Sequence, residues 1–280
     1  CADKVFFCNS GAEANEAAIK LGRKYGNQIL GLTDPIILSA KSSFHGRTLA
    51  TLSATGQPQY QKGFEPLVQG FKFFDYNDID SFHRIIKNLN DQKKSVSAIL
   101  IEPLQAEGGI HPGEKKFFKA LRKFCSEKNI LLILDEIQTG ICRTGKFWGY
   151  ENLGIEPDAF TLAKGLGGGH AIGALLVKNI ANILLPGEHA STFGGNPFAC
   201  QAALTVLKEI EKRSLISNVN KRSNQLQKGL NDIVKTYNKY WQEVRGIGLI
   251  QGLVIKEGAD LNSQDFTKHA LTQNLLVVPA

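Results

Sequence analysis

The sequence predicts an α/β fold, with a mostly parallel central sheet, helices on both faces and a smaller α+β domain towards the C-terminus. Two observations lead to this expectation. Short runs that are apolar throughout alternate with stretches whose apolar residues recur at helical spacing, as is typical of parallel strands buried on both faces. Beyond Pro197 the pattern changes, because two helix-like segments follow one another without a strand between them.

The elements of the first part follow in order along the chain. "KVFFC" predicts a short strand, and "SGAEANEAAIKLGRKYG" predicts a helix that stops at Gly26. "PIILSA" is the next predicted strand, and a helix over residues 80–92 precedes the strand "VSAILIEPL". The amphipathic "EKKFFKALRKFCSEKN" leads into the strand "ILLILDE", and "AFTLAK" and "IGALLV" are two further apolar runs.

The later part predicts two helices, the runs "GIGLIQGLVI" and "LLVVPA", and a helix between these runs. We therefore divide the chain into a large domain, 1–212, and a small domain, 213–280. The chain opens on one strand-like run and closes on another, "LLVVPA". We expect both domains to be incomplete and the chain to be an internal part of a longer protein.

Composition narrows the classes of function. No apolar run approaches the roughly 20 residues of a membrane helix. Lys and Arg number 33 against 26 Asp and Glu, a net charge of +7, but the basic residues are scattered among acidic ones, so we expect no nucleic-acid partner. The five cysteines show no C-x-x-C pair and no metal-ligand spacing with histidine, which favours reduced thiols and no metal site.

The stretch "TLAKGLGGGHAIGA" places Lys164 between an apolar run and four glycines. It is compatible with a nucleotide phosphate loop, a structural turn or a reactive lysine. A phosphate loop needs glycines before the lysine and Ser or Thr after it, and here the order is reversed. A dinucleotide fingerprint opens a helix, whereas this stretch joins two strand-like runs. Both nucleotide interpretations are weak.

Two other places carry candidate chemistry. Asp135 ends a predicted buried strand, where a carboxylate either caps a turn or meets a cation. Gln138 follows on the same loop. Ser10 and Gly11 precede a helix, so they form either a capping box with Glu13 or an anion site at the helix end. Together with Lys164, these features suggest a phosphorylated cofactor with a basic ring nitrogen and an aldehyde, namely pyridoxal phosphate.

Five motifs carry a resemblance to a known family: "FFCNSGAEANEAAIKLGRKYG", "SFHGRTLATLSATGQPQYQKGFEPL", "AILIEPLQAEGGI", "LLILDEIQTGICRTGKFWGYENLGIEPDAFTLAKGLGGG" and "STFGGNPFAC". In these motifs the chain resembles the class III, fold-type I aminotransferases, most closely the acetylornithine/ornithine aminotransferase group. The resemblance covers essentially all 280 residues.

The resemblance implies roles for the cofactor-binding residues. Lys164 would hold pyridoxal phosphate covalently and later move the substrate proton. Asp135 would pair with the ring nitrogen, and Gln138 would lie near the phenolic oxygen. The phosphate would be bound by three residues at the helix start: Ser10, Gly11 and Ala12. Phe44 would stack on the ring with His45 close by, although the residues alone only indicate a core position for Phe44.

The resemblance also implies how substrate is bound. Arg47 would bind a substrate carboxylate, although from the sequence alone it is a surface or loop arginine. Glu102 and Glu107 would lie in the cleft, and Glu107 would pair with an arginine beyond Ala280. Thr192 would reach the cofactor phosphate of a partner subunit, which implies a homodimer.

Three departures from the family's pattern bear on substrate preference. Ala106 and Cys142 stand where glycine is usual, and His170–Ala171 replaces the more frequent Phe–Pro. His170 is compatible with a place at the pocket entrance or on the surface.

The resemblance implies transfer of the side-chain amine of N2-acetylornithine to 2-oxoglutarate, in arginine biosynthesis, in the cytoplasm or in an organelle matrix. The segment "SATGQPQYQKGFEPL" favours this group. Ornithine, succinylornithine and 4-aminobutyrate transaminases share the catalytic set and remain alternatives, as does a cofactor-free regulatory paralogue.

Overall fold

Seven strands between residues 4 and 177 form one sheet. The structure is a computed structural model that describes all residues, 1–280. The strands, numbered along the chain, are β1 (Lys4–Cys8), β2 (Ile36–Ala40), β3 (Phe71–Phe74), β4 (Val96–Ile101), β5 (Leu104–Gln105), β6 (His111–Pro112), β7 (Leu131–Asp135), β8 (Ala159–Leu162), β9 (Gly173–Val177), β10 (Trp241–Ile247) and β11 (Ile250–Ile255). The helices are α1 (Gly11–Gln28), α2 (Leu49–Ala54), α3 (Pro58–Gln61), α4 (Ile79–Asp91), α5 (Lys115–Lys128), α6 (Pro197–Lys212), α7 (Leu215–Thr236) and α8 (Ser263–Thr272).

The strand order of the large sheet is β1-β9-β8-β7-β4-β2-β3. The five strands from β8 to β3 are parallel, which confirms the predicted mostly parallel sheet. β9 is antiparallel to both of its neighbours. The connection over residues 163–172 explains this direction, since a parallel return needs a crossover of about a dozen residues or more.

Both faces of the sheet are covered by helices. Successive residues of each strand point to opposite sides and so pack in two separate clusters. On one side Leu132 and Leu134 join a cluster of 26 buried residues that includes residues of α4 and α5. On the other side Leu131 and Ile133 join a cluster of 15 that includes residues of α1. This two-sided burial explains why every residue of β2, β4 and β7 is buried and why these strands are mostly apolar rather than alternating.

The later residues form α6, α7, an antiparallel hairpin of β10 and β11, and α8. The division into domains 1–212 and 213–280 stays a prediction. Two smaller predictions are wrong. The first helix continues past Gly26 to Gln28. "LLVVPA" forms no strand: Leu276 and Val278 are exposed, and no strand lies beside them to pair with. None of the helices combines the length and the apolar character needed to span a bilayer.

Candidate active site

The carboxyl ends of β2, β4, β7 and β8 meet at one edge of the sheet, because these strands are parallel. A cavity of about 560 Å³ opens at this edge and lies within the range of small-molecule sites. Ten of the twelve site residues predicted from the sequence line it: Ser10, Gly11, Ala12, Phe44, His45, Arg47, Glu102, Asp135, Gln138 and Lys164.

Asp135 is the last residue of β7 and is only 4% exposed. Its Oδ2 accepts hydrogen bonds from the Asn15 side-chain amide (2.7 Å) and from His45 Nδ1 (2.8 Å). Its Oδ1 accepts one from the Ile137 backbone amide (3.1 Å), so the carboxylate also caps the turn after the strand. These donors offset the cost of burying the group and fix its orientation towards the cavity.

His45 acts on the cavity through Asp135. Its Nδ1 carries the hydrogen donated to the carboxylate, and its Nε2 lies 3.1 Å from the Ser39 hydroxyl. Both ring nitrogens are therefore used inside the protein, and His45 is 2% exposed. The resemblance implies that His45 lies close to the cofactor. The structure shows why a histidine suits this position, because its ring donates a buried hydrogen bond to Asp135.

Lys164 follows the end of β8 with a backbone φ of +42°, in the left-handed region that non-glycine residues rarely adopt. Such conformations persist where the surrounding structure enforces them, often at functional sites. The side chain reaches solvent through the open cavity, yet burial lowers the pKa of its amine below the usual value. The carboxylates of Asp135, Glu107 and Glu102 act in the opposite direction on this pKa.

The start of α1 forms the floor of the cavity. Ser10 is the N-cap and its hydroxyl accepts from the Glu13 amide (3.2 Å), as the capping interpretation predicts. Glu13 reaches back to the Asn9 backbone amide (2.6 Å), one residue earlier than in a standard capping box. The amides of Gly11 and Ala12 have no acceptor within the helix and line the cavity, so the anion-site interpretation is compatible with the same geometry.

Phe44 and Arg47 lie on the loop after β2 and line the cavity together. The guanidinium carbon of Arg47 lies 5.5 Å from the centre of the Phe44 ring and 4.1 Å from that of Tyr60. Arg47 is exposed and forms no ion pair within the chain. It is a free cation at the cavity.

Glu102 is a buried carboxyl group with one oxygen unused. Oε1 accepts a long hydrogen bond from the Phe44 amide (3.4 Å), and Oε2 has no partner. Burial, and then the nearby Asp135, raise the pKa of Glu102 well above its usual value. Glu107 lies just outside the cavity lining, where its Oε1 accepts from the Gln138 side-chain amide (3.2 Å).

The structure does not bring Thr192 to the cavity. Thr192 is exposed and lies outside the lining residues. His170, by contrast, lines the cavity and packs edge-on against Phe198, with ring centres 4.8 Å apart. Cys142 has a φ of +66°, which gives a physical reason why glycine is usual at its position.

A family model described as "Aminotransferase class-III" matches residues 1–280, the whole chain. The chain belongs to the class III aminotransferases. The acetylornithine aminotransferase of Prochlorococcus marinus is 62% identical over 280 residues, which are 100% of this chain and 67% of that protein. That of Nostoc is 55% identical over 280 residues, again 100% of this chain and 66% of that protein.

Solved structures agree. The ornithine aminotransferase of Toxoplasma gondii superposes with a TM-score of 0.91 at 30% identity, covering 99% of this chain and 66% of that one. The N-acetylornithine aminotransferase of Stenotrophomonas maltophilia gives 0.81 at 33% identity, covering 100% of this chain and 67% of that one. The chain thus spans about two thirds of the length of the class III aminotransferases it matches.

The cofactor of class III aminotransferases is pyridoxal phosphate, and the cavity fits this group. It offers free backbone amides at a helix start for a phosphate, a buried carboxylate for a protonated ring nitrogen and an amine of lowered pKa for the aldehyde. Gly11 lets the helix start approach the turn after β7 closely, since a Cβ there would lie 2.8 Å from Ile137 Cδ1. The aromatic face of Phe44 lies on the same cavity.

Two buried polar residues close to the site, one bonded to Asp135 and one next to it in sequence, were not predicted from the sequence. Asn15 is fully buried and joins Asp135, the His45 carbonyl and the Thr161 hydroxyl. Glu136 accepts from the Thr139 hydroxyl (2.5 Å) and from the Gly149 and Tyr150 amides (2.8 and 2.7 Å). A signal for Asn15 was available, because it is a polar residue on the apolar face of the first predicted helix.

Proposed function

We propose that the whole protein transfers the side-chain amine of N2-acetylornithine to 2-oxoglutarate, a step of arginine biosynthesis. The observation that carries this proposal is the convergence of Lys164, Asp135 and the unpaired Arg47 on one cavity. An amine, a buried carboxylate and a free cation suit a substrate with a reacting amine at one end and a carboxylate at the other. Relatives at 53–62% identity are named acetylornithine aminotransferase.

Lys164 holds the cofactor and moves the substrate proton with its Nζ. Its lowered pKa supports this role, because a neutral amine is needed both to attach to an aldehyde and to accept a proton. Asp135, held by Asn15 and His45, binds the ring nitrogen. When bound, pyridoxal phosphate accepts the electrons left on the substrate carbon. Ser10, Gly11 and Ala12 bind its phosphate, and Phe44 packs on its ring.

The remaining residues bind substrate or orient the pocket. Arg47 binds the distal carboxylate with two of its free N–H groups. Glu102, whose pKa is raised by burial and whose Oε2 has no partner, forms part of the cavity wall near the substrate. Gln138, which donates a hydrogen bond to Glu107, would hold the phenolic oxygen of the cofactor.

We assign a homodimer, in which Thr192 of one subunit reaches the phosphate bound by the other. The exposure of Thr192, and of the large side chains Phe193 and Phe198 in the segment that follows it, supports this assignment. We also propose a large cofactor-binding domain, 1–212, a small domain, 213–280, and a cytoplasmic location.

The test is the visible absorption spectrum of the full-length protein with pyridoxal phosphate. We expect a yellow band that N2-acetylornithine bleaches and 2-oxoglutarate restores. Lys164→Ala should abolish both the covalent attachment and turnover. Bleaching by ornithine, succinylornithine or 4-aminobutyrate but not by N2-acetylornithine would reassign the donor. A folded dimer with no band would indicate the cofactor-free regulatory paralogue.

A further inference from the structure

Arg47 is held in place by an aromatic ring rather than by a carboxylate. Its guanidinium carbon lies 4.1 Å from the centre of the Tyr60 ring, a short distance for a cation–π contact. The Phe44 ring lies edge-on to Tyr60, with centres 5.9 Å apart, and completes an aromatic bracket around Arg47. This contact explains how an exposed cation with no ion pair keeps a defined position.

Tyr60 lies on α3, a four-residue helix that three glutamines tie to the rest of the loop. Gln57 is 6% exposed, and its amide donates to the carbonyls of Ser42 and Ser43 (3.3 and 3.2 Å), just before Phe44. Gln59 donates to the Gln57 side chain (2.8 Å). The Gln61 amide donates to the carbonyls of Leu52 and Thr55 (3.2 and 2.8 Å). The Tyr60 ring therefore rests on a rigid platform.

A guanidinium that stacks on a ring keeps all of its N–H groups at its edge, free to donate. An ion pair to a protein carboxylate would occupy the same groups. The contact with the Tyr60 ring face thus restrains the Arg47 guanidinium without using the donors that a bidentate carboxylate needs.

We propose that Tyr60 is a specificity-determining residue that positions Arg47 to select substrates with a carboxylate distant from the reacting amine. The inference rests on the proposed function, in which Arg47 binds that carboxylate. It also gives a physical role to the segment "GQPQYQ": the glutamines fix the helix and the tyrosine orients the arginine.

The test compares N2-acetylornithine with N-acetylputrescine, which has the same reacting amine but lacks the carboxylate. The variants Tyr60→Leu and Tyr60→Phe are made in the full-length, cofactor-loaded protein. Tyr60→Leu removes the ring, and we expect the KM for N2-acetylornithine to rise about threefold to tenfold with kcat within about twofold. Its kcat/KM for N-acetylputrescine should not change. Tyr60→Phe keeps the ring and should behave as the wild type.

A binding measurement separates positioning from catalysis. Glutarate, a dicarboxylate without a reacting group, should bind Tyr60→Leu about threefold to tenfold more weakly by calorimetry. Phe64→Leu is the matched control, because Phe64 is 57% exposed on the same segment. Its KM for N2-acetylornithine and its dissociation constant for glutarate should stay unchanged.

Three outcomes would contradict the inference or its basis. If Tyr60→Leu lowers kcat/KM equally for both amines, Tyr60 does not position Arg47. The same conclusion follows if Tyr60→Leu changes kcat/KM for neither amine while Arg47→Ala loses the preference for N2-acetylornithine. In both cases the proposed function stands. If Arg47→Ala itself keeps the preference for N2-acetylornithine, the carboxylate site of the proposed function is wrong.

Discussion

At the scale of single residues, Asp135 depends on partners from distant parts of the chain. Asn15 lies 120 residues before it and His45 lies 90 residues before it, yet both donate to the same oxygen. The sequence predicts Asp135 from its place at the end of an apolar run. It does not predict these donors, because nothing local in a sequence indicates which distant polar groups will meet.

Asn15→Ala should lower the free energy of unfolding by about 2 kcal/mol, because the Thr161 hydroxyl and the His45 carbonyl lose their partners in the interior. Affinity for pyridoxal phosphate should fall as well, since Asp135 keeps only one side-chain donor. Urea unfolding and cofactor titration measure the two effects. Asn231→Ala, at an exposed site on α7, is the control and should stay within about 0.5 kcal/mol. Equal stability of the two variants would contradict the prediction.

Glu136 gives stability a dependence on pH. Burial raises its pKa from 4.5 to about 7. Between these values the unfolded chain releases a proton that the folded protein keeps, so stability falls as pH rises through this window, by up to about 1.4 kcal/mol per pH unit. Glu136→Gln should reduce this slope, measured by urea unfolding from pH 4.5 to 7.5. Glu127→Gln, on the exposed face of α5, should leave the slope unchanged. A slope that is the same in all three proteins would refute this account.

At the scale of elements, hydrophobic periodicity predicts every strand of the parallel part except β3, and all the longer helices. It does not predict the direction of β9, which follows from the length of the connection after Lys164 rather than from the strand's own residues. Nor does it predict the left-handed backbone at Lys164, since lysine has no preference for that region. α3 is missed because four residues are too few to show a helical period.

Gly173→Ala, on β9, should disturb the proposed phosphate-binding residues Ser10, Gly11 and Ala12, which we call the phosphate seat. A Cβ at Gly173 would lie 2.4 Å from the Ser10 carbonyl oxygen and 2.9 Å from Cys8 Sγ, so the start of α1 must shift. We expect a loss of about 1–3 kcal/mol of stability and weaker binding of pyridoxal phosphate. Thermal unfolding and cofactor titration provide the two readouts. Gly229→Ala, on α7, is the control. No atom lies within 4 Å of the added Cβ, and a gain in stability is expected because alanine favours the helix. Cofactor affinity as in the wild type would show that the seat tolerates the methyl group.

At the scale of the whole molecule, large apolar side chains stay exposed beside Thr192. Phe193 and Phe198 are 70% and 72% exposed. Large exposed apolar patches mark interaction surfaces in soluble proteins. The exposure of these side chains supports the proposed homodimer, because Thr192 is exposed and lies outside the lining of its own cavity.

The double substitution Phe193→Ser and Phe198→Ser should shift the full-length protein from dimer to monomer, as measured by sedimentation equilibrium. Affinity for pyridoxal phosphate should fall with it, because the proposed contact of the partner's Thr192 with the phosphate is then lost. Ile180→Ser is the control and should leave the dimer intact. Ile180 is 58% exposed and lies just after the C-terminal end of β9. A dimer that survives the double substitution would place the interface elsewhere.

Gly173, which touches the Ser10 carbonyl, has a consequence for how the cofactor leaves. The connection over residues 163–172 joins Lys164 to Gly173, so the backbone that carries the amine continues into the residue that packs against the helix start facing the phosphate. The two ends of a bound cofactor are thereby attached to one mechanical unit, and loosening of either end is transmitted to the other. Release should therefore proceed as a single exponential event, without a half-detached species that accumulates.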